Sequence, residues 1–202
     1  MKKAALFFTA LFILAGIFEN VPAQEDEQQD YHAWWREGYW GRPRRYPQAK
    51  LLPLIKVRGN KFVKSNDDTL LFRGLAISDP DKIANQGHWQ RKHFEKVKEM
   101  GATLVRIPIH PIAWRERTPR AYLQLLDQAV EWCSELELYI VIDWHSIGNL
   151  NMELFQNPMY DTTQKETFEF WRTIARHFRG HNTVAFTRYL MNRQSIAASS
   201  AA

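Results

Sequence analysis

Ile140-Val141-Ile142-Asp143-Trp144-His145 opens on branched aliphatic residues and closes on an acid, an aromatic ring and a histidine. A short apolar run rich in β-branched residues has the composition of a buried strand. Residues 71–77 and 103–109 share that character, and each run is followed by a segment with helical spacing of its apolar residues. A fourth strand begins at Thr183. Strand and helix in alternation predict parallel βα units and an α/β fold. In such folds the functional groups stand just beyond the C-terminal ends of the strands. His145 therefore marks a place where chemistry is expected.

The helical segments carry clear stripes. Residues 88–100 place Phe94, Val97 and Met100 on one face, with Gly101 as the stop. In residues 122–136 the stripe is Tyr122, Leu125, Leu126, Ala129, Val130, Cys133 and Leu136. Residues 163–178 are expected to turn Phe168, Trp171, Ile174, Ala175 and Phe178 inward. Cys133 is the only cysteine, so no internal disulfide can form, and its place on a stripe marks it as a small buried hydrophobe. Ahead of the first core strand, Gly59-Asn60 between Val57 and Phe62-Val63 signals a hairpin. The loop 146–162 exceeds the roughly 2–6 residues usual for a βα connection. It holds Asn149, Asn151, Glu153, Phe155 and Tyr160, and reads either as a substrate-binding element or as a structural excursion.

The chain has 202 residues, enough for about one domain. Its formal charge of +5 is scattered among acids, which describes a solvated surface rather than a nucleic-acid groove. Residues 1–23 have the make-up of a secretory signal. Lys2 and Lys3 precede an apolar run at 4–18, and Val21-Pro22-Ala23 supplies a cleavage site before Gln24. The apolar run is short of the ~20 residues of a membrane span. The expectation is a secreted or periplasmic protein cleaved after Ala23, with no stable membrane insertion thereafter. Residues 24–50 form a linker or N-terminal extension, in which Trp34, Trp35, Tyr39 and Trp40 either wrap against the domain or stay extended.

Two polar residues stand inside apolar runs, where an unpaired polar group is costly. Arg106 interrupts Leu104-Val105-Arg106-Ile107-Pro108, and a guanidinium that cannot be neutralised needs carboxylates or a polar cavity beside it. His145 ends its run. Two such residues at corresponding positions of successive strands point to a site.

The set resembles glycoside hydrolase family five, the cellulase-like retaining enzymes on (β/α)8 TIM barrels. The residues that carry the resemblance are Gly59-Asn60-Lys61-Phe62-Val63, Phe72-Arg73-Gly74, Val105-Arg106-Ile107-Pro108, Val141-Ile142-Asp143-Trp144-His145, the helix 168–178, and His181-Asn182-Thr183-Val184-Ala185-Phe186. They span about 57–186, the first three and a half βα units. The resemblance implies that Arg106 orients the active-site carboxylates and that His145 bonds a sugar hydroxyl, with Trp144 and His110 as further substrate-binding residues. It implies a β-linked polysaccharide or oligosaccharide as partner, with neither cofactor nor metal. A retaining glycosidase needs two carboxyl groups about 5–5.5 Å apart. In the family the acid/base follows strand four within Asn-Glu-Pro, and the nucleophile ends strand seven. Here Met191-Asn192-Arg193-Gln194 stands where Asn-Glu-Pro is expected.

Residues 51–186 are thus expected to be a partial barrel, and 187–202 an aberrant tail. Any gene encoding Met191-Asn192 contains ATG followed by AAT or AAC, so the neighbouring frame reads GAA, a glutamate codon. A base lost near the Phe186 codon would produce this tail, leaving an endo-β-1,4-glucanase-like chain without activity. Two other readings stand beside it: a glycan-binding protein that does not cleave, and a metal-dependent hydrolase using His110, Asp143 and His145.

Overall fold

A computed structural model describes residues 33–37 and 51–189. The expected signal at 1–23, most of the extension and residues 190–202 lie outside the described residues.

The hairpin forms as its turn signal predicts. Strand β1 (Lys56–Arg58) pairs antiparallel with β2 (Lys61–Val63), Val57 facing Phe62, and Gly59 takes the positive φ of +59° that an L side chain resists. The chain then enters the main sheet through β3 (Gly74–Ala76), shorter than the predicted 71–77. Helices α1 (Pro80–Asn85) and α2 (Arg91–Glu99) lead to β4 (Leu104–Ile109). Helices α3 (Pro111–Arg117) and α4 (Pro119–Glu135) lead to β5 (Tyr139–Trp144). After β5 comes a small antiparallel ribbon of β6 (Gly148–Asn149) and β7 (Leu154–Phe155), then α5 (Gln164–His177) and β8 (Val184–Tyr189).

The main sheet has the order β3-β4-β5-β8, and every pairing within it is parallel. Consecutive strands are therefore neighbours, joined by helical crossovers, as in one arc of a barrel. β8 pairs with β5 through Tyr189, three residues past Phe186, with Thr187, Arg188 and Tyr189 opposite Ile142, Asp143 and Trp144. One register shift at Ile140/Val141 puts an extra residue into β8.

Alternation along β4 and β5 divides their side chains between two layers. Val105, Ile107, Ile109, Ile140, Ile142 and Trp144 are buried with Phe94, Leu126 and Phe170 from the helices. Arg106 pairs with Val141 and Pro108 with Asp143 on the opposite face. At the lower end of that face Leu104, Tyr139 and Leu52 close a second apolar cluster.

The stripe of α4 is buried as expected from Tyr122 to Cys133, and burial pushes the Cys133 thiol far above its ordinary range. Two stripes need correction. Met100 is exposed although Phe94 and Val97 are buried, because it lies past the last turn of α2. On α5 the inward face is Thr167, Phe170, Ile174, His177 and Phe178, whereas Phe168 is 64% exposed. A frame built on Phe168 is rotated about one residue, or roughly 100°, from the face the sheet covers.

Of the tryptophan-rich extension, the short turn Trp34–Glu37 packs against the domain. Trp34 is buried edge-on against Trp114, and its indole Nε1 donates to Glu166 Oε1 at 3.0 Å. Glu166 also receives Arg115 Nη1 and the Thr162 hydroxyl, each at 2.8 Å. Burial pushes its carboxyl pKa up, opposed by these donors. Thr163 caps α5 by accepting from Glu166 N at 3.1 Å. Thr-x-x-Glu is the sequence of a capping box, but the Glu166 carboxylate turns to Trp34, Arg115 and Thr162 instead. At this point the extension is fastened to the helical layer.

Candidate active site

The C-terminal ends of β3, β4 and β5 surround a cavity of about 440 Å³. Asp79, Lys82, Arg106, His110, His145 and Met159 are among its lining residues. The strand parity that sends Trp144 to the helices sends Arg106, Asp143 and His145 the other way.

Arg106 Nη2 donates to Asp143 Oδ2 at 2.5 Å, and Asp143 is completely buried. His145 Nδ1 lies 2.9 Å from that same oxygen and 3.1 Å from Arg106 Nη2. A guanidinium only donates, so the shared carboxylate oxygen is the acceptor for both neighbours. Arg106 Nε and Asp143 Oδ1 are buried with no hydrogen-bond partner among the described residues.

His110 follows β4 and caps no helix with its side chain. Its backbone N–H and its Nδ1 both contact Asp79 Oδ2, at 2.8 and 3.0 Å. The other oxygen of Asp79 receives the Tyr122 hydroxyl and the Asp81 backbone N–H, each at 2.7 Å. Burial above all, and then the Asp79 charge, push the Tyr122 phenol well above its ordinary pKa, so it holds its proton. The rings of His110 and His145 meet edge to face with centroids 5.3 Å apart, and Tyr160 approaches both at 5.6 and 5.7 Å.

Three of the four residues expected at the site are thus brought together: Arg106, His145 and His110. Trp144 is not. It is fully buried, stacked on Phe170 with ring centroids 4.0 Å apart, and donates its indole N–H to Thr167 Oγ1 at 3.2 Å. The period of two along a strand decides this, since Asp143 and His145, which flank Trp144, lie on the opposite face of the sheet. Nor do the expected metal ligands assemble. Among the described residues no group of three His, Cys, Asp or Glu side chains could hold an ion, and His110 is paired with Asp79 rather than Asp143.

Sequence reasoning missed Asp79 and Tyr122. The available signal was Asp79-Pro80, a capping acid before a helix-starting proline, and Asp79 does accept from Asp81 N. Tyr122 looked like ordinary stripe residue, and only its hydroxyl reveals the second role. Of the loop candidates, Tyr160 reaches the histidines. Asn149 instead closes a turn by accepting from Asn151 N and Met152 N, at 3.0 and 3.2 Å. Gly148 is demanded by packing, because a Cβ there would stand 2.3 Å from the Leu154 carbonyl oxygen.

A sheet of parallel βα units with an Arg–Asp–His cluster at its C-terminal rim defines one arc of a βα barrel. The chain belongs to glycosyl hydrolase family 5: the Cellulase model of that family matches residues 63–192. It is similar to a β-glucanase from Saccharophagus degradans, at 39% identity and a TM-score of 0.67, over 77% of this chain and 48% of that one. The same β-glucanase in complex with cellotetraose matches at 39% identity and TM-score 0.65, over 75% and 48%. A β-mannanase from Thermomonospora fusca, in complex with mannohexaose, shares the fold at 14% identity and TM-score 0.52, over 73% and 47%. The chain thus spans about half the length of these solved structures. A comparison with curated proteins returned no match. Among the described residues no helix is long and apolar enough to cross a membrane.

Proposed function

We propose that this chain carries the N-terminal half of a retaining β-glucan hydrolase site and binds β-linked glucan without cleaving it. The observation that supports this most is the cluster of Arg106, Asp143 and His145 at the wall of a 440 Å³ cavity. Arg106 orients carboxylates and His145 bonds a sugar hydroxyl.

Hydrolysis by this route requires an acid/base and a nucleophile, two carboxyl groups acting in turn. Met191-Asn192-Arg193-Gln194 stands where the family has Asn-Glu-Pro, and none of these four side chains is a carboxylic acid that could give and take the proton. A base lost near the Phe186 codon accounts for the exchange. Residues 1–23 direct the chain to the secretory route, with Gln24 as the mature N-terminus. The test is to incubate the purified 202-residue chain with cellotetraose and resolve the products by chromatography. Intact tetraose is expected; release of shorter sugars above a His145→Ala control would overturn the inactive reading.

A further inference from the structure

The two cavity histidines are built alike, from different strands and different acids. Resting on the glucan-binding reading, we propose that Asp79 is a positioning residue that fixes His110 with its proton on Nδ1. His110 and His145 then form a matched pair of Nε2 acceptors for two hydroxyl groups of one sugar ring.

Hydrogen-bond accounting around Asp79 carries the argument. Its two oxygens face four groups. The backbone N–H groups of His110 and Asp81 can only donate, and the Tyr122 hydroxyl, 2.7 Å away, keeps its proton. A buried carboxylate so surrounded accepts at both oxygens. The fourth group, His110 Nδ1 at 3.0 Å, must therefore supply the hydrogen. In a neutral imidazole the proton then lies on Nδ1 and the lone pair on Nε2. His145 obeys the same logic at Asp143 Oδ2, which already accepts from Arg106. The 3.1 Å between Arg106 Nη2 and His145 Nδ1 is the spacing of two donors that meet on one oxygen.

Both Nε2 atoms remain available. Among the described residues no protein group bonds either of them, neither is sealed from solvent, and both rings line the cavity. With centroids 5.3 Å apart the rings can reach the same sugar. Arg106 and Lys82 contribute only donors to this wall, and its acceptors include Asp81 and Glu116 as well as the two histidines. The two Nε2 atoms are the acceptors carried by neighbouring rings, an arrangement suited to a ligand with adjacent free hydroxyls.

The test is nitrogen-15 NMR of the intact chain with a cellotetraose titration. In the wild type both His110 and His145 should carry the proton on Nδ1. Asp79→Ala removes both acceptor oxygens, so it should free the His110 proton to move to Nε2, leave His145 unchanged, and weaken cellotetraose about tenfold, the loss of one hydroxyl bond. Tyr122→Phe removes a donor from the far oxygen only. It should keep the tautomer and weaken binding less than about threefold, which keeps the test decisive if Asp79→Ala does not fold. Normal binding by a wild type with the His110 proton on Nε2 overturns the inference alone, as does an inverted tautomer with unchanged affinity. A wild type with both protons on Nδ1 that binds no cellotetraose overturns the glucan reading, and the acceptor role with it.

Discussion

Arg106 and Asp143 form an ion pair of 2.5 Å between adjacent strands, with the acid fully buried and the arginine side chain 25% exposed. The pair joins β4 to β5 on the face that holds the cavity, so it serves the sheet and the site together. Removing one member of a buried pair strands the other charge, at a cost of about 3–5 kcal/mol. Because His145 still donates to Asp143, Arg106→Met should fall at the low end, about 3 kcal/mol. Urea unfolding measures it, and a loss under about 1 kcal/mol would mean that Asp143 is not sealed as described.

Trp144 and Phe168 invert their expected roles and give opposite predictions. Trp144→Ala removes a fully buried ring stacked on Phe170 and should cost about 3–5 kcal/mol. Phe168 is exposed, so Phe168→Ala should change stability by no more than about 0.5 kcal/mol. Equal losses for the two variants in denaturant unfolding would refute the assignment of faces on α5.

The Trp34 anchor separates packing from hydrogen bonding. Trp34→Phe keeps a ring against Trp114 but leaves Glu166 Oε1 without its donor, at a cost of about 1–3 kcal/mol. Trp34→Ala should cost about 3–5 kcal/mol. If neither variant lowers Tm, the extension does not hold the helical layer.

Burial holds the His181 imidazole below its ordinary pKa of 6.5, with Asp127 opposing. The folded value lies under the unfolded one, so folding favours the neutral ring. Its stabilisation is complete above about pH 6.5 and is lost as pH falls through the folded value. His181→Asn should therefore lose less Tm than the wild type between pH 7.5 and 5. Parallel decline of the two would contradict the sign.

Strand and helix identity was legible in the sequence because burial on both faces forces β4 and β5 into continuous apolar runs. Arg106 and His145 stood out for the same reason, as polar residues in a setting that penalises them. What stayed hidden depends on parity and on distant partners. Trp144 sits between Asp143 and His145 on the opposite face, and only the pleat decides its side. Asp79 and Tyr122 lie 43 positions apart, and neither carries a local sign of the other. The short helices α1 and α3 escaped notice because one or two turns give too little periodicity to read.

Cellotetraose titrated into the intact chain, with histidine ring signals followed by NMR and the same sample assayed for shorter sugars, tests the central claim most directly. A half-site that binds without cleaving predicts saturable shifts at His110 and His145, absent in Arg106→Met, while the tetraose stays whole. Silent histidines at saturating sugar, or a cleaved tetraose, would contradict it.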